Sequence, residues 1–322
     1  MPHASQPLVC ISIVNWNTTP STLTLLRSLE ELTYRTFRVI VVDNNSQEDP
    51  TAAIVQHHPE VTVIRSPENL GYAGGHRIAW GKAKNDGAEL LWLLNPDVIL
   101  EPDTLGTLVS AYCGNPAALY GSVPLDTGRT EDIGSATVRS ADKYIHTPYR
   151  EPLIARKSYK STFSDIFPNN QNRIVAALHG CSWLLPLAIA KEHGFLDESY
   201  FLYAEEIDYC LRLATAGIPS ILVADSHVFH HGEGATRGNH RLSAIMTYYQ
   251  VRNHLLLVRR FQSTYEYICL LLRKALLIVP YAIKPPLHPR RAWCVFLGIR
   301  DALMNRRGKT LSPEDVLRLR QE

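Results

Sequence analysis

The sequence predicts an α/β protein: a mainly parallel sheet flanked by helices, followed by a helical C-terminal extension. Three observations carry this. Short apolar runs rich in β-branched residues alternate with stretches of helical spacing, the pattern of parallel βαβ units joined by right-handed crossovers. Several of those runs end in polar turns, Asn15-Trp16-Asn17, Asp43-Asn44-Asn45-Ser46 and Asn95-Pro96-Asp97, which gathers polar side chains at the carboxyl edge where open α/β sheets bind ligands. Beyond Arg252 the chain becomes apolar and basic together, a composition suited to amphipathic helices.

Residues 9–14 form the first buried strand, and residues 18–32 a helix with Leu25, Leu26, Leu29 and Leu32 on one face. A second strand covers 37–42 and a third 61–64, which leads into Asn69-Leu70-Gly71-Tyr72-Ala73-Gly74-Gly75, expected as a loop. A helix over 76–84 precedes the apolar run Leu90-Leu91-Trp92-Leu93-Leu94, which ends at Asn95-Pro96-Asp97. From 124 to 173 the pattern weakens into irregular structure or short strands. Order returns over 174–185, then a helix near 187–193 and another over 203–216, stopped by Gly217. A strand at 220–223 is followed by a histidine-rich loop over 227–238. Residues 1–260 read as one domain and 261–322 as the extension, with 280–289 turning the chain between two helices.

With 322 residues, 45% hydrophobic and 20% charged, the composition is that of a globular protein. Six scattered cysteines show no paired spacing, which favours reduced thiols over a disulfide framework or a zinc site. Residues 1–7 lack the basic and long apolar regions of a signal peptide. The net charge of +2 hides an asymmetry, because residues 252–322 hold 14 Lys and Arg against 5 Asp and Glu. A basic apolar tail on an acidic body suits an anionic surface, membrane lipid before nucleic acid, for which no reading motif is present. Solvated helix faces are the plainer alternative. The apolar stretch over 255–283 is broken by Arg259-Arg260, Glu266 and Arg273-Lys274. Its unbroken pieces fall short of the roughly 20 residues of a spanning helix, so helices lying in the membrane interface or packed on the body fit better.

The strand-end turns collect Asn15, Asn17, Asp43, Asn69, Gly71 and Gly74, which suit a base and ribose or, equally, plain turn chemistry. No Gly-x-Gly-x-x-Gly and no Gly-Lys-Ser/Thr loop is present, so dinucleotide redox enzymes and P-loop ATPases lose ground. Asp97 behind a buried strand can hold a hard divalent cation that keeps sites free for phosphates. Glu205, Glu206 and Asp208 crowd one helix start. The helix dipole favours them there, Asp208 can pair with Arg212 four residues on, and one of the two glutamates can serve as general base toward a hydroxyl. His227, His230 and His231 lack zinc-like spacing, and one imidazole completing a site begun by Asp97 is more economical, with a purely structural cluster as the alternative. Gly232-Glu233-Gly234-Ala235-Thr236 reads as a loop able to close over phosphates.

Taken together, several of these pieces resemble the family-2 inverting glycosyltransferases, and within them the rhamnosyltransferase-like bacterial branch. The pieces are Ile13-Val14-Asn15-Trp16-Asn17, Val41-Val42-Asp43-Asn44-Asn45-Ser46, Asn69 through Gly75, Leu94-Asn95-Pro96-Asp97, and His179-Gly180-Cys181. Phe201-Leu202-Tyr203-Ala204-Glu205-Glu206-Ile207-Asp208, Phe229-His230-His231-Gly232 and Tyr248-Tyr249-Gln250-Val251-Arg252-Asn253 complete the set, so the resemblance spans 9–253 and leaves the last ~70 residues uncovered.

The resemblance implies a GT-A fold, Rossmann-like in its mainly parallel sheet, a nucleotide-sugar donor, and Mg²⁺ or Mn²⁺ on the diphosphate. It makes Asp97 the acidic metal ligand, with Asn95 in place of the first acid of the usual pair, and His230 the second ligand. Asp43 and Asn15 would hold base and ribose. Glu206 stands where the family places its base, usually an Asp, and Glu205 stays open. Residues 124–173 would form the variable acceptor side. The expected activity is transfer of a sugar, with L-rhamnose from dTDP-L-rhamnose favoured and a UDP-sugar as the other donor, to a glycan or lipid-linked acceptor in bacterial surface polysaccharide synthesis. The expected setting is cytoplasmic, at the inner face of the plasma membrane, with peripheral membrane contact and no nucleic acid. A non-catalytic nucleotide- or carbohydrate-binding module on the same fold is the alternative. A nucleotide-sugar pyrophosphorylase would favour a Gly-rich, basic first loop, which Asn15-Trp16-Asn17 is not.

Overall fold

The computed structural model of the chain describes residues 6–126, 137–138, 161–162, 166–167, 169–230, 240–283 and 288–312. Most of the expected variable segment, His231 and the 232–236 loop lie outside these residues.

Among the described residues, eleven strands form one sheet. Its N-terminal half is built from β1 (Val9–Asn15), β2 (Phe37–Asp43), β3 (Thr62–Arg65) and β4 (Leu90–Leu94), in spatial order β3-β2-β1-β4 and parallel throughout. The crossovers are α1 (Thr19–Glu30), α2 (Thr51–His57) and α3 (Gly71–Asn85). Because β1 leads outward to β2 and β3 on one side while β4 lies on the other, the strand order reverses between β1 and β4, which opens a crevice at their carboxyl ends.

The other half is mixed rather than parallel. After β5 (Val98–Leu100) and α4 (Thr104–Gly114) come β6 (Leu119–Asp126), the short β7 (Thr137–Val138), β8 (Ser161–Thr162) and β9 (Arg173–Val175), then β10 (Ser182–Pro186). After β10 come α5 (Leu187–His193), α6 (Glu205–Thr215) and β11 (Ser220–His230). Antiparallel β10 sits between β4 and β6, and β6 runs parallel to β11. Expected over 220–223 alone, β11 continues through an irregularity between Val223 and His227 as far as His230. There it pairs antiparallel with β5, His230 opposite Val98. His227 and His230 are therefore strand residues rather than loop residues, because pairing with β6, joined by β5 from Val228 onward, satisfies backbone groups that a loop would have left to solvent.

Both faces of the sheet are covered, as their apolar alternation requires. Cys10, Ile40, Val42, Leu91 and Leu93 pack on the α3 and α6 side. Ile11, Ile13, Val41, Trp92 and Leu94 pack on the α1 and α4 side. Buried polar groups inside the sheet satisfy one another: the Trp92 indole donates to Ser182 Oγ (3.0 Å), and Ser182, Ser122 and Ser226 form a hydroxyl chain at 2.9 Å per step.

The chain ends in α7 (His240–Phe261), α8 (Thr264–Leu276), α9 (Ile278–Ile283) and α10 (Pro289–Leu303). Pro280, expected in a turn, lies in α9. Val251, Leu255 and Val258 of α7 pack with Leu270 of α8 and Val295 of α10, and the same cluster takes in Tyr200 and Leu211 of the sheet-bearing body. Among the described residues, which include all six cysteines, there is no disulfide.

Candidate active site

The crevice at the β1/β4 edge collects most of the polar residues expected there. Asn15 and Asp43 are cross-strand neighbours in the parallel β1–β2 register. The Asn15 amide donates to Asp43 Oδ1 (3.0 Å) and Ser46 Oγ (3.1 Å), and its oxygen accepts from Thr22 (2.8 Å) and Thr18 (3.2 Å). Both donors and both lone pairs of that amide are thus used inside the protein. Asp43 is fully buried, accepts from the Ser46 backbone N–H at 3.2 Å, and has Arg65 at 3.6 Å. Asn17 adopts a left-handed conformation (φ 54°), which asparagine tolerates well, and its side chain accepts from the Gln47 N–H at 2.8 Å.

The segment 69–75, expected as a loop, is instead a tight corner followed by the first turns of α3. Asn69 Oδ1 accepts from the Gly71 N–H (2.9 Å) and from Asn44 (3.1 Å), which also donates to the Gly71 carbonyl (2.9 Å). The glycines let backbone meet protein at close range. Gly71 has φ +73°, and a Cβ there would lie 2.0 Å from the Phe201 carbonyl oxygen. One on Gly74 would lie 2.5 Å from Leu70 Cβ. Gly71→Ala is therefore expected to destabilise by well over about 1 kcal/mol, since the new methyl faces both an unfavourable φ and a backbone oxygen. Thermal unfolding checks this, and an unchanged melting temperature would show that the corner relaxes freely.

Asn95, Asp97 and His230 come together. His230 Nε2 lies 3.2 Å from Asp97 Oδ1 and 3.5 Å from Asn95 Nδ2. Asp97 and His230 are each 8% exposed. The β5–β11 ladder creates the pair by setting Val98, one residue past Asp97, opposite His230. One carboxylate and one imidazole at a nearly buried strand edge fit Mg²⁺ or Mn²⁺, with remaining ligand positions left for phosphate oxygens and water. Among the described residues no group of three or more His, Cys, Asp or Glu that could hold a metal ion comes together.

The turn His179-Gly180-Cys181 links this pair to the acidic helix. The His179 ring lies 5.5 Å from that of His230, edge to face. The Gly180 carbonyl accepts from the Tyr72 hydroxyl at 2.6 Å, and the Trp183 indole donates to the same hydroxyl at 3.2 Å. Glu206 Cγ lies 3.8 Å from where a Gly180 Cβ would be. Burial pushes the Tyr72 hydroxyl well above its ordinary range; the Trp183 hydrogen bond opposes this, while Glu206 and Glu205 add to it. Tyr72 therefore stays a neutral donor. Neighbouring His76, buried and bonded to Ser12 Oγ at 2.7 Å, is held down to about 3 by burial and carries no charge at working pH.

Glu205, Glu206 and Asp208 open α6, where the helix dipole favours them. Their environments separate them. Asp208 is fully buried and held by Arg212 Nε (2.7 Å), Arg260 Nη1 (2.6 Å) and the Tyr200 hydroxyl (3.1 Å), a structural junction between α6 and α7. Glu205 is 3% exposed, whereas Glu206 is half-buried and borders the 179–181 turn.

Sequence reasoning gave no role to the segment that presents these acids. Phe201 (φ 65°, ψ −54°) centres a γ-turn closed by the Leu202 N–H on the Tyr200 carbonyl at 2.8 Å. Tyr203 (φ 69°) and Ala204 (φ 77°) are also left-handed. Such conformations cost non-glycine residues about 1–3 kcal/mol each and persist only where their surroundings over-determine them. The surroundings include Arg252 and Asn253 of α7, both fully buried. The signal available in the sequence was the piece Tyr248-Tyr249-Gln250-Val251-Arg252-Asn253, noted above only as part of the resemblance.

Comparison with known proteins agrees with this geometry. The family model described as glycosyl transferase family 2 matches residues 10–176. The N-acetylglucosaminyl-diphospho-decaprenol L-rhamnosyltransferase of Mycobacterium tuberculosis is 28% identical over 245 residues, covering 69% of this chain and 76% of that protein. Rhamnosyltransferase WbbL of Escherichia coli K12 is 25% identical, covering 62% of this chain and 74% of that protein. Two solved structures share the fold. Mannosyltransferase PcManGT from Pyrobaculum calidifontis, with GDP-Man and Mn²⁺, superposes with TM-score 0.58 at 15% identity, over 94% of this chain and 88% of that one. GalNAc-T7, with UDP, GalNAc and Mn²⁺, gives 0.59 at 14% identity, over 94% of this chain and 56% of that one. A switch-point crevice, an Asp–His pair at the strand edge and a family match over more than half the chain lead to one conclusion: this protein belongs to glycosyl transferase family 2, is rhamnosyltransferase-like, and has a GT-A fold.

Proposed function

We propose that the protein is an inverting, metal-dependent hexosyltransferase that moves L-rhamnose from dTDP-L-rhamnose to a lipid-linked saccharide, at the inner face of the plasma membrane, in bacterial surface polysaccharide synthesis. The observation that carries the reading is the Asp97–His230 pair (3.2 Å), with Glu206 standing beyond the 179–181 turn. The rhamnose and lipid-linked parts draw on the relatives, an N-acetylglucosaminyl-diphospho-decaprenol L-rhamnosyltransferase and a second rhamnosyltransferase.

In this reading Asp97 and His230 would hold Mg²⁺ or Mn²⁺, and the cation would supply positive charge against the diphosphate leaving group. Asn95 Nδ2 stands beside them, 3.5 Å from His230 Nε2. Asp43, with Asn15, Asn17 and Asn69 shaping the turns around it, fixes the nucleoside end, and the Gly71–Gly74 corner sets the wall of the crevice. Glu206, with Glu205 as the other candidate, removes the proton from the acceptor hydroxyl. The hydroxyl oxygen then bonds to the anomeric carbon as the bond to the diphosphate oxygen breaks, so a single displacement inverts that centre. A donor panel tests the reading: dTDP-rhamnose should support Mn²⁺-dependent turnover with a lipid-linked saccharide above UDP- and GDP-sugars. Preference for a UDP-sugar would overturn the rhamnose assignment and leave the reaction class standing.

The membrane setting draws on α8. Tyr265, Ile268, Leu272 and Leu276 recur at helical spacing and are 76%, 48%, 60% and 69% exposed, while Leu270 on another face is buried in the body. Arg273 and Lys274 accompany the stripe, and Trp293 and Phe296 stack at 5.2 Å on exposed α10. Among the described residues no helix is long and apolar enough to cross a membrane. An amphipathic helix with basic neighbours lies in an anionic interface instead. Flotation with phosphatidylglycerol vesicles should carry the wild type, while the doubly substituted Leu272→Glu, Leu276→Glu protein stays behind. Equal flotation of both would remove α8 as the contact.

A further inference from the structure

We infer that Asn253 and Arg252 are positioning residues for the reaction, holding the strained turn at 201–204 so that it aims the glutamates of α6 at the acceptor. The inference rests on the reading of Glu206 or Glu205 as the base, and it assigns a task to residues outside the metal and donor contacts.

The geometry is unusually complete for an apolar helix interface. Asn253 Nδ2 donates to three carbonyls of the turn, Tyr200 (2.9 Å), Leu202 (2.7 Å) and Tyr203 (3.0 Å). Its own oxygen accepts from Arg252 Nε at 2.8 Å. A guanidinium can only donate, so this bond fixes which end of the amide faces the turn. Arg252 adds a second hold on the Tyr200 carbonyl through Nη2 at 2.9 Å. Its other arm reaches the segment after α10, with Nη1 donating to the Gly308 carbonyl (2.7 Å) and Thr310 Oγ (2.8 Å). The guanidinium lies 4.8 Å from the Tyr249 ring centroid. Two fully buried polar side chains therefore converge on four residues of backbone, and that backbone is the segment that leads directly into Glu205 and Glu206.

The start of α6 has no device of its own. Its N-cap is Ala204, which offers no side-chain hydrogen bond and is itself left-handed. Serine, threonine, aspartate or asparagine would ordinarily hold that position. The Phe201 carbonyl faces the other way and accepts from the Tyr72 N–H at 3.0 Å, so the turn also seats the corner at Gly71. Release of the three carbonyls frees the left-handed residues to relax, and the carboxylates turn away from the 179–181 turn. A misplacement of this kind, on the order of 1 Å, costs about 100-fold in rate when the moved group does chemistry.

The test is Asn253→Asp, which keeps the shape, removes both amide donors and sets a carboxylate against the three carbonyls. The expected result is a folded protein that binds dTDP-rhamnose with Mn²⁺ at full stoichiometry and unchanged Kd, while kcat falls about 100-fold. A merely structural role would lower the fraction of binding-competent protein and leave kcat per bound donor intact. That outcome, or wild-type kcat, overturns the inference. Should Asn253→Asp fail to fold, Thr310→Val decides instead, since it removes one partner of Arg252 at an exposed position. A lower kcat at unchanged donor Kd supports the clamp, and an unchanged kcat overturns it. If the wild type itself neither binds nucleotide sugars nor turns over, the transferase reading has failed, which is a different result from a clamp variant that works normally.

Discussion

Asp97→Ala is expected to abolish metal-dependent donor binding and to lower kcat/KM by about 100- to 1000-fold, the range seen when one preorganised electrostatic contact to a developing charge is lost. Asp97 is 8% exposed and touches His230 Nε2 at 3.2 Å, so its removal deletes the carboxylate half of a two-residue donor set. An imidazole alone holds Mg²⁺ poorly, because that ion favours oxygen ligands. The fold should survive, since Asp97 sits in a turn and the β5–β11 ladder is made by backbone groups. Calorimetric titration with dTDP-rhamnose, with and without Mn²⁺, separates the outcomes. Wild type should bind tightly only with the metal, and the variant weakly under both conditions. Equal metal-dependent affinity in the two proteins would exclude Asp97 as a ligand and shift attention to Asn95 or Asp43. His230→Ala should act in the same direction, with less loss because the carboxylate remains.

Why the carboxyl-edge site was legible follows from local chemistry. The strands β1, β2 and β4 are β-branched or leucine runs that stop at an Asn- or Asp-containing turn, and Asn15, Asp43 and Asp97 stand where those stops predict. Asn17 and Asn45 occupy left-handed positions that asparagine tolerates. The sequence misled where long-range pairing overrode local pattern. His227 and His230 look like loop residues until β6, about a hundred positions earlier, pairs with both and β5 pairs with His230. Gly71-Tyr72-Ala73-Gly74-Gly75 reads as a flexible loop on propensity, yet becomes the start of α3 because Phe201 and Val14 press on it where only glycine leaves room. The mixed half of the sheet was hidden for the same reason, since nothing in a strand's own residues states that β10 inserts antiparallel between β4 and β6. Hidden likewise was the hold of Arg252 and Asn253 on the 201–204 turn, which depends on contacts some fifty positions apart.

Glu206→Gln is expected to cut turnover by about 10²- to 10⁴-fold, the usual contribution of a positioned general base, and to leave donor affinity unchanged. The substitution is close to isosteric, so it opens no cavity, and the glutamine can keep a hydrogen bond while losing the ability to take a proton. Glu206 is the stronger candidate of the two because it is half-buried beside the 179–181 turn and so has a path to an acceptor, whereas Glu205 is 3% exposed. Glu205→Gln is expected to lower the melting temperature more than the rate. A rate collapse in Glu205→Gln with normal rates in Glu206→Gln would exchange the two roles. If both variants bind dTDP-rhamnose as the wild type does and no form turns over with any lipid-linked saccharide, the site is a nucleotide-sugar binding module on a transferase fold. Donor binding alone cannot distinguish that module from an enzyme, because in the proposed reading Asp43, Asp97 and His230 would serve both. The base is the one component that a binding module has no use for, which is why its loss carries the decision.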